Sequence, residues 1–187
     1  QVSIKDAPVY DTEHHIMPDT YDKVYSDEYD AYAVANIWQG AFHYRANSVV
    51  WAWDRVTDKS STYWGLEAYR PKSVWGIGVA THDLNRLSYQ VEAIQNEKTD
   101  IAILYSDASR MYDQTEMNLT YETYDALMCL GKKVKFVTEM QTEKMKNYKI
   151  LIVPGIDYAR DKTLDAVIDF INNGGQVVLL GENCFKY

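Results

Sequence analysis

Apolar and polar positions follow two different styles along this chain, and the change falls near residues 95–99. In the first half, Val9 and Tyr10 predict a short strand that runs into the polar cluster Glu13, His14 and His15. Pro18 stops a long helix from forming there. Ser26 is a predicted N-cap, followed by Asp27 and Glu28 in the first turn, where the helix dipole favours negative charge. Ala31, Val34, Trp38, Ala41 and Phe42 then recur at helical spacing and predict one apolar stripe, the helix ending near His43 to Ala46. Ser48 to Trp53 reads as a strand of β-branched and aromatic residues. The glycines, Pro71 and tryptophans between Trp64 and Gly78 predict a folded loop. A second helix is expected from about Thr81 to Asn96, with Leu84, Leu87, Val91 and Ile94 on one face. Strand, helix, strand, helix is two consecutive α/β units.

After a polar linker at Gln95 to Thr99 the pattern changes. Ile101–Tyr105, Val134–Val137, Ile150–Val153 and Val177–Leu180 are continuous apolar runs rather than alternating ones. Runs of that kind predict strands buried on both faces, hence a parallel sheet between helices. Met117, Tyr121, Tyr124 and Met128 are spaced for one helix face, with Gly131 as the C-cap. Leu164, Val167, Ile168 and Ile171 do the same ahead of Gly174. The second half therefore reads as an open, doubly wound α/β domain of flavodoxin type, and the expected domains are residues 1–97 and 98–187.

Composition adds exclusions. All five tryptophans lie between Trp38 and Trp75, which marks the two halves as chemically different. A formal charge of −8 and the lack of a basic patch argue against a nucleic-acid partner. No apolar run approaches the roughly 20 residues of a membrane span. Cys129 is expected as a buried thiol on a helix face, and with Cys184 far from it neither a disulfide framework nor a zinc site is supported. Cys184 follows a strand, but no histidine occurs after His82 to make a Cys–His pair in that half. Ser106 to Arg110 follow the first strand of that half, where doubly wound sheets bind ligands, yet no Gly-rich phosphate loop is present.

Several motifs in order carry a family resemblance: Pro8-Val9-Tyr10-Asp11-Thr12-Glu13, then Asn36 to His43, Val49 to Arg55, and Thr81 to Leu87. Through them the first half resembles the last two strand–helix units of a glycoside hydrolase (β/α)8 barrel, in the clan of retaining enzymes that includes the family 42 β-galactosidases. The second half resembles the glutamine-amidotransferase-like domain that follows that barrel and builds the trimer. The resemblance implies Glu13 as the catalytic nucleophile on the seventh strand. It implies Trp51 or Trp53, on the eighth strand, as the platform under a β-linked sugar. No cofactor or metal is implied. Implied partners are the rest of the barrel, from the same precursor or another chain, and further copies of the chain in a homo-oligomer, a trimer. A quarter of a barrel cannot close, since strand number and stagger are linked, so the isolated chain is expected to be inactive.

Each residue also has a plainer reading. Glu13 is otherwise a solvated carboxylate. His14 and His15 point in opposite directions, so one of them can contact substrate, and His14 is taken as the candidate with His43. His43 is otherwise a surface histidine stabilised at a helix end. Asp54-Arg55 reads as a structural ion pair, and Trp51 and Trp53 share one face of their strand. The competing function is a non-catalytic oligomerisation or carbohydrate-binding module.

Overall fold

The computed structural model describes residues 3, 5, 7–16, 29–51, 71–112, 114–182 and 184–186. These divide into two compact units, one within residues 7–97 and one within 98–187 that also takes in Ser3 and Lys5.

The first unit is built on a parallel pair of strands, β1 (Val9–His14) and β2 (Arg45–Val50), joined by α1 (Tyr29–Phe42). It continues with α2 (Pro71–Arg86) and α3 (Ser88–Asn96). β1 is longer than the sequence suggests and carries Glu13 inside it. The expected loop between Trp64 and Gly78 is corrected: from Pro71 onward it is helix. Proline is suited to the first helical position, where no amide donor is needed. One of the glycines that suggested a loop, Gly76, serves packing instead. A Cβ on Gly76 would lie 2.6 Å from the carbonyl oxygen of Asp30, so α2 approaches α1 as only a glycine allows. Ser73, Gly76 and Ala80 on α2 are buried there, as is Ala33 on α1. The buried stripe of α1 is thus Ala33, Ile37 and Gly40, not the expected Ala31, Val34 and Trp38. Trp38 packs beside Phe42 at 5.3 Å between ring centroids. The expected Thr81–Asn96 helix is two helices meeting at Leu87. The predicted cap at Ser26 and the residues Trp53, Asp54, Arg55 and Trp64 lie outside the described residues.

The second unit has the expected α/β pattern with a parallel sheet. Its strands β3 (Ile101–Tyr105), β4 (Lys135–Thr138), β5 (Ile150–Pro154) and β6 (Gln176–Leu180) form one parallel sheet in the order β4-β3-β5-β6. Between them run α4 (Asp107–Tyr112), α5 (Gln114–Cys129), a 3-10 segment (Glu139–Asn147) kinked at Gln141, and α6 (Asp161–Asn172). The core gathers Leu104, Val137, Met145, Leu151, Val153, Ile156, Val167 and Phe170. Gly131 and Gly174 end α5 and α6 in the left-handed region (φ +66 and +89), the C-cap role the sequence predicts.

Three expectations fail here. Among the described residues β6 pairs only with β5, and Val178 and Leu179 are exposed rather than covered on both faces. On α6 the buried face is Thr163, Val167 and Phe170, leaving Leu164, Ile168 and Ile171 exposed. On α5, Met117 is buried but Tyr121 and Met128 are not, and the Cys129 thiol is exposed, not buried.

Candidate active site at the carboxyl ends of β1 and β2

A bulge decides what β1 presents. Asp11 pairs with Ser48 and His14 with Val50, so three steps on β1 oppose two on β2. The extra residue reverses the alternation of side chains. Asp11 and His14 consequently both face the helices, while Thr12 and Glu13 both face outward. Without the bulge Glu13 would share the face of Asp11.

On the helix side, the chain fills the space with its own polar groups. His14 is buried, and its Nε2 lies 3.2 Å from Asn36 Oδ1. The Arg45 guanidinium reaches the same ring, with Nη1 3.0 Å from Nδ1 and 2.8 Å from Nε2. Burial chiefly, with the Arg45 charge in support, holds the His14 pKa below its ordinary value, against the opposing pull of Asn36 and Asp11. Arg45 also stands 3.7 Å from Asp11 Oδ2. It passes over Gly40, where a Cβ would come within 2.7 Å of the guanidinium carbon. His14 thus ties β1 to α1 and β2.

On the outward side, Glu13 and Trp51 come together. The Trp51 amide donates to the His14 carbonyl at 3.0 Å, extending the pairing of β1 and β2. The His15 ring stands between the two side chains. Its Nε2 is 3.3 Å from Glu13 Oε1, and it stacks on the Trp51 indole at 6.0 Å and 28°. Glu13 is exposed, and Trp51 is 39 % exposed. A carboxylate and an indole at neighbouring carboxyl ends of parallel strands stand where α/β barrels place their chemistry. The indole gives a flat apolar face with a polar handle, suited to one side of a sugar ring.

His43 is not part of this group. It sits at the end of α1, ahead of β2 and therefore at the amino end of the strand pair, and its Nδ1 bonds to the Gln39 carbonyl at 2.7 Å. Sequence reasoning weighed His14 and His15 together as substrate contacts and took His14. The signal that favours His15 is strand alternation, which puts residues 13 and 15 on one face and residue 14 on the other.

In the second unit, the segment from Ser106 onward is closed by the chain itself. The buried Glu139 carboxylate accepts from Ser106 Oγ at 2.6 Å, from the Arg160 amide at 2.8 Å and from Thr163 Oγ1 at 3.0 Å. Ser109 Oγ donates to the Tyr158 carbonyl at 2.8 Å. Cys184 makes long contacts to the Val153 and Leu180 carbonyls at 3.8 and 3.6 Å, and burial pushes its thiol pKa up, away from nucleophilic thiolate. Among the described residues no group of three or more His, Cys, Asp or Glu is placed to hold a metal ion.

Residues 94–181 match the family model described as the β-galactosidase trimerisation domain. That segment is similar to the trimerisation domain of β-galactosidases. Solved structures similar to the chain include two described as family 42 enzymes and a further β-galactosidase. The apo exo-carrageenase of Bacteroides ovatus shares 24 % identity at a TM-score of 0.77, over 95 % of this chain and 25 % of its own. The Gan42B β-galactosidase of G. stearothermophilus, solved as a catalytic mutant, shares 18 % at 0.69, over 95 % and 28 %. The β-galactosidase of Halorubrum lacusprofundi shares 17 % at 0.66, over 96 % and 28 %. At these identities the likeness is one of fold, and this chain spans about a quarter of each of those chains. A search of curated proteins gave no match.

Proposed function

We propose that the chain is the carboxy-terminal portion of a retaining glycoside hydrolase of β-galactosidase type, with Glu13 as nucleophile and Trp51 beneath the sugar. The observation that carries this reading is the pairing of Glu13 and Trp51 through His15 on the outward face of two adjacent parallel strands. That face has the helices behind it, as the inner face of a barrel strand does. Among the described residues β1 and β2 pair only with each other, and two parallel strands need further strands on their outer edges.

The chemistry follows from the carboxylate. Glu13 attacks the anomeric carbon while a second carboxyl group, roughly 5 Å away, protonates the departing glycosidic oxygen; water then releases the sugar from the ester. Asp11 is not that second group, because it faces the helices beside Arg45. The acid/base residue therefore comes from elsewhere in the barrel, and the 187-residue chain alone is inactive. Trp53 is the second candidate for the platform. The names of the β-galactosidase neighbours support a β-linked galactoside as substrate, and the trimerisation-domain match supports assembly of the chain with copies of itself.

In the complete barrel, Glu13→Gln is expected to lower kcat by on the order of 10³-fold or more while leaving sugar binding intact. Unchanged turnover would refute the assignment and leave a non-catalytic oligomerisation or carbohydrate-binding module.

A further inference from the structure

Glu13 has a neighbour that the two-step hydrolysis does not itself require, the His15 imidazole. Glu13 and His15 are two residues apart and share the outward face, while His14 between them points to the helices. The ring is held in place by its surroundings. His14 before it and Ile16 after it are both buried, the latter against Ala33 of α1, so the backbone that carries His15 is anchored at each neighbour. The His14 carbonyl also accepts from the Trp51 amide at 3.0 Å, which brings the indole alongside. Stacking on that indole, at 6.0 Å and 28°, limits rotation of the ring, and Nε2 comes to rest 3.3 Å from Glu13 Oε1.

An ionised carboxylate only accepts hydrogen bonds, so Nε2 carries the hydrogen and donates it. Oε1 is engaged in this way, and Oε2 is the oxygen left to attack. The strength of such a bond follows the charge on its acceptor, a charged acceptor making it roughly twice as strong as a neutral one. In the first step Glu13 gives up its charge as Oε2 bonds to the anomeric carbon. The donor then aims the carboxylate but also stabilises the charge that must be lost, and the two effects oppose. In the second step the oxygen of water bonds to the anomeric carbon and its proton passes to the second carboxyl group. The ester C–O bond breaks, and its electron pair returns to Glu13. Charge on Oε1 grows throughout that step, so the hydrogen bond is stronger in the transition state than in the ester.

We propose that His15 is a positioning residue for Glu13 whose main effect falls on the second step, release of the sugar from the covalent ester. The inference rests on the reading of Glu13 as nucleophile and adds the group that stabilises it as a departing carboxylate.

The test uses the complete enzyme and dinitrophenyl β-galactoside. Its good leaving group makes the first step fast, so kcat reports the second step and kcat/KM the first. His15→Phe keeps an aromatic ring against Trp51 and removes the donor. It is expected to lower kcat by on the order of 100-fold while kcat/KM changes less than about 10-fold. KM then falls with kcat, and dinitrophenolate appears in a burst of about one equivalent per site. His15→Gln, which restores an N–H donor, is expected to return kcat to within about 5-fold of wild type. Should His15→Phe fail to fold, His15→Leu removes the same donor and is read in the same way. An unchanged kcat in the folded variant, or equal falls in kcat and kcat/KM without rescue by His15→Gln, would overturn the role of His15. Trapping the wild-type glycosyl–enzyme keeps the two readings apart. An adduct on the Glu13 peptide, with His15→Phe as active as wild type, sinks the role of His15 alone. An adduct on another carboxylate sinks the nucleophile, and His15 with it.

Discussion

The two units of this chain bury polar groups in opposite ways. In the second, Glu139 sits inside the unit with its oxygens met by Ser106, Thr163 and the Arg160 amide, and the sheet above the core carries four strands. In the first, the polar cluster around His14 is closed on the helix side, yet Glu13, His15 and Trp51 stand on the outward face of a sheet that has two strands among the described residues. A closed polar network holds a fold together; polar groups on an open face of parallel strands are there to meet something else. The difference is why chemistry is assigned to the first unit and assembly to the second.

The comparison can be broken at several points. The largest effect is expected from Glu139→Ala, which strands the Ser106 and Thr163 hydroxyls and the Arg160 amide in a buried place. A loss of about 3 kcal/mol in the second unit is expected, measured by urea unfolding followed by circular dichroism. Gly76→Leu should cost the first unit nearly as much, about 2–3 kcal/mol, because the side chain has no room against the Asp30 backbone. All five tryptophans lie in the first half, so their fluorescence reports that unit alone and should shift while the second unit's transition holds.

A smaller effect concerns pH. The buried His14 titrates below its ordinary value, so as pH falls past about 6.5 the unfolded chain takes up a proton that the folded chain refuses. The first unit's stability is therefore complete above that pH and declines as the solution is acidified toward the folded pKa. Tryptophan-detected unfolding between pH 7.5 and 5 should show the decline, and His14→Gln should flatten it. The smallest effect has the opposite sign. Ser73 Oγ is buried with no partner among the described residues, so Ser73→Ala should raise first-unit stability by about 1 kcal/mol.

Much of the second unit was legible in the sequence, because its information is local. Continuous apolar runs gave strands within a residue or two of Ile101–Tyr105 and Ile150–Pro154, and glycines gave the helix ends at Gly131 and Gly174. What the sequence could not show was which faces of β6 and α6 are covered, and so Val178, Leu179 and the second stripe of α6 were expected inside. The first unit was less legible because its decisive features are pairwise. Gly76 reads as a loop breaker until the backbone of Asp30 is placed against it. The bulge that turns Glu13 outward and His14 inward exists only in the register of β1 on β2. Glu13 and Trp51 could be named from the residues and the family resemblance, and alternation alone would have favoured His15 over His14, while His43 was expected near a site from which the strand pair separates it.

The central claim is that Glu13 forms a covalent bond to the sugar. Incubating the complete enzyme with a 2-deoxy-2-fluoro-β-galactoside and mapping the labelled peptide by mass spectrometry tests this directly. The account predicts a glycosyl adduct on the peptide that contains Glu13, absent in Glu13→Gln; an adduct on any other carboxylate would contradict it.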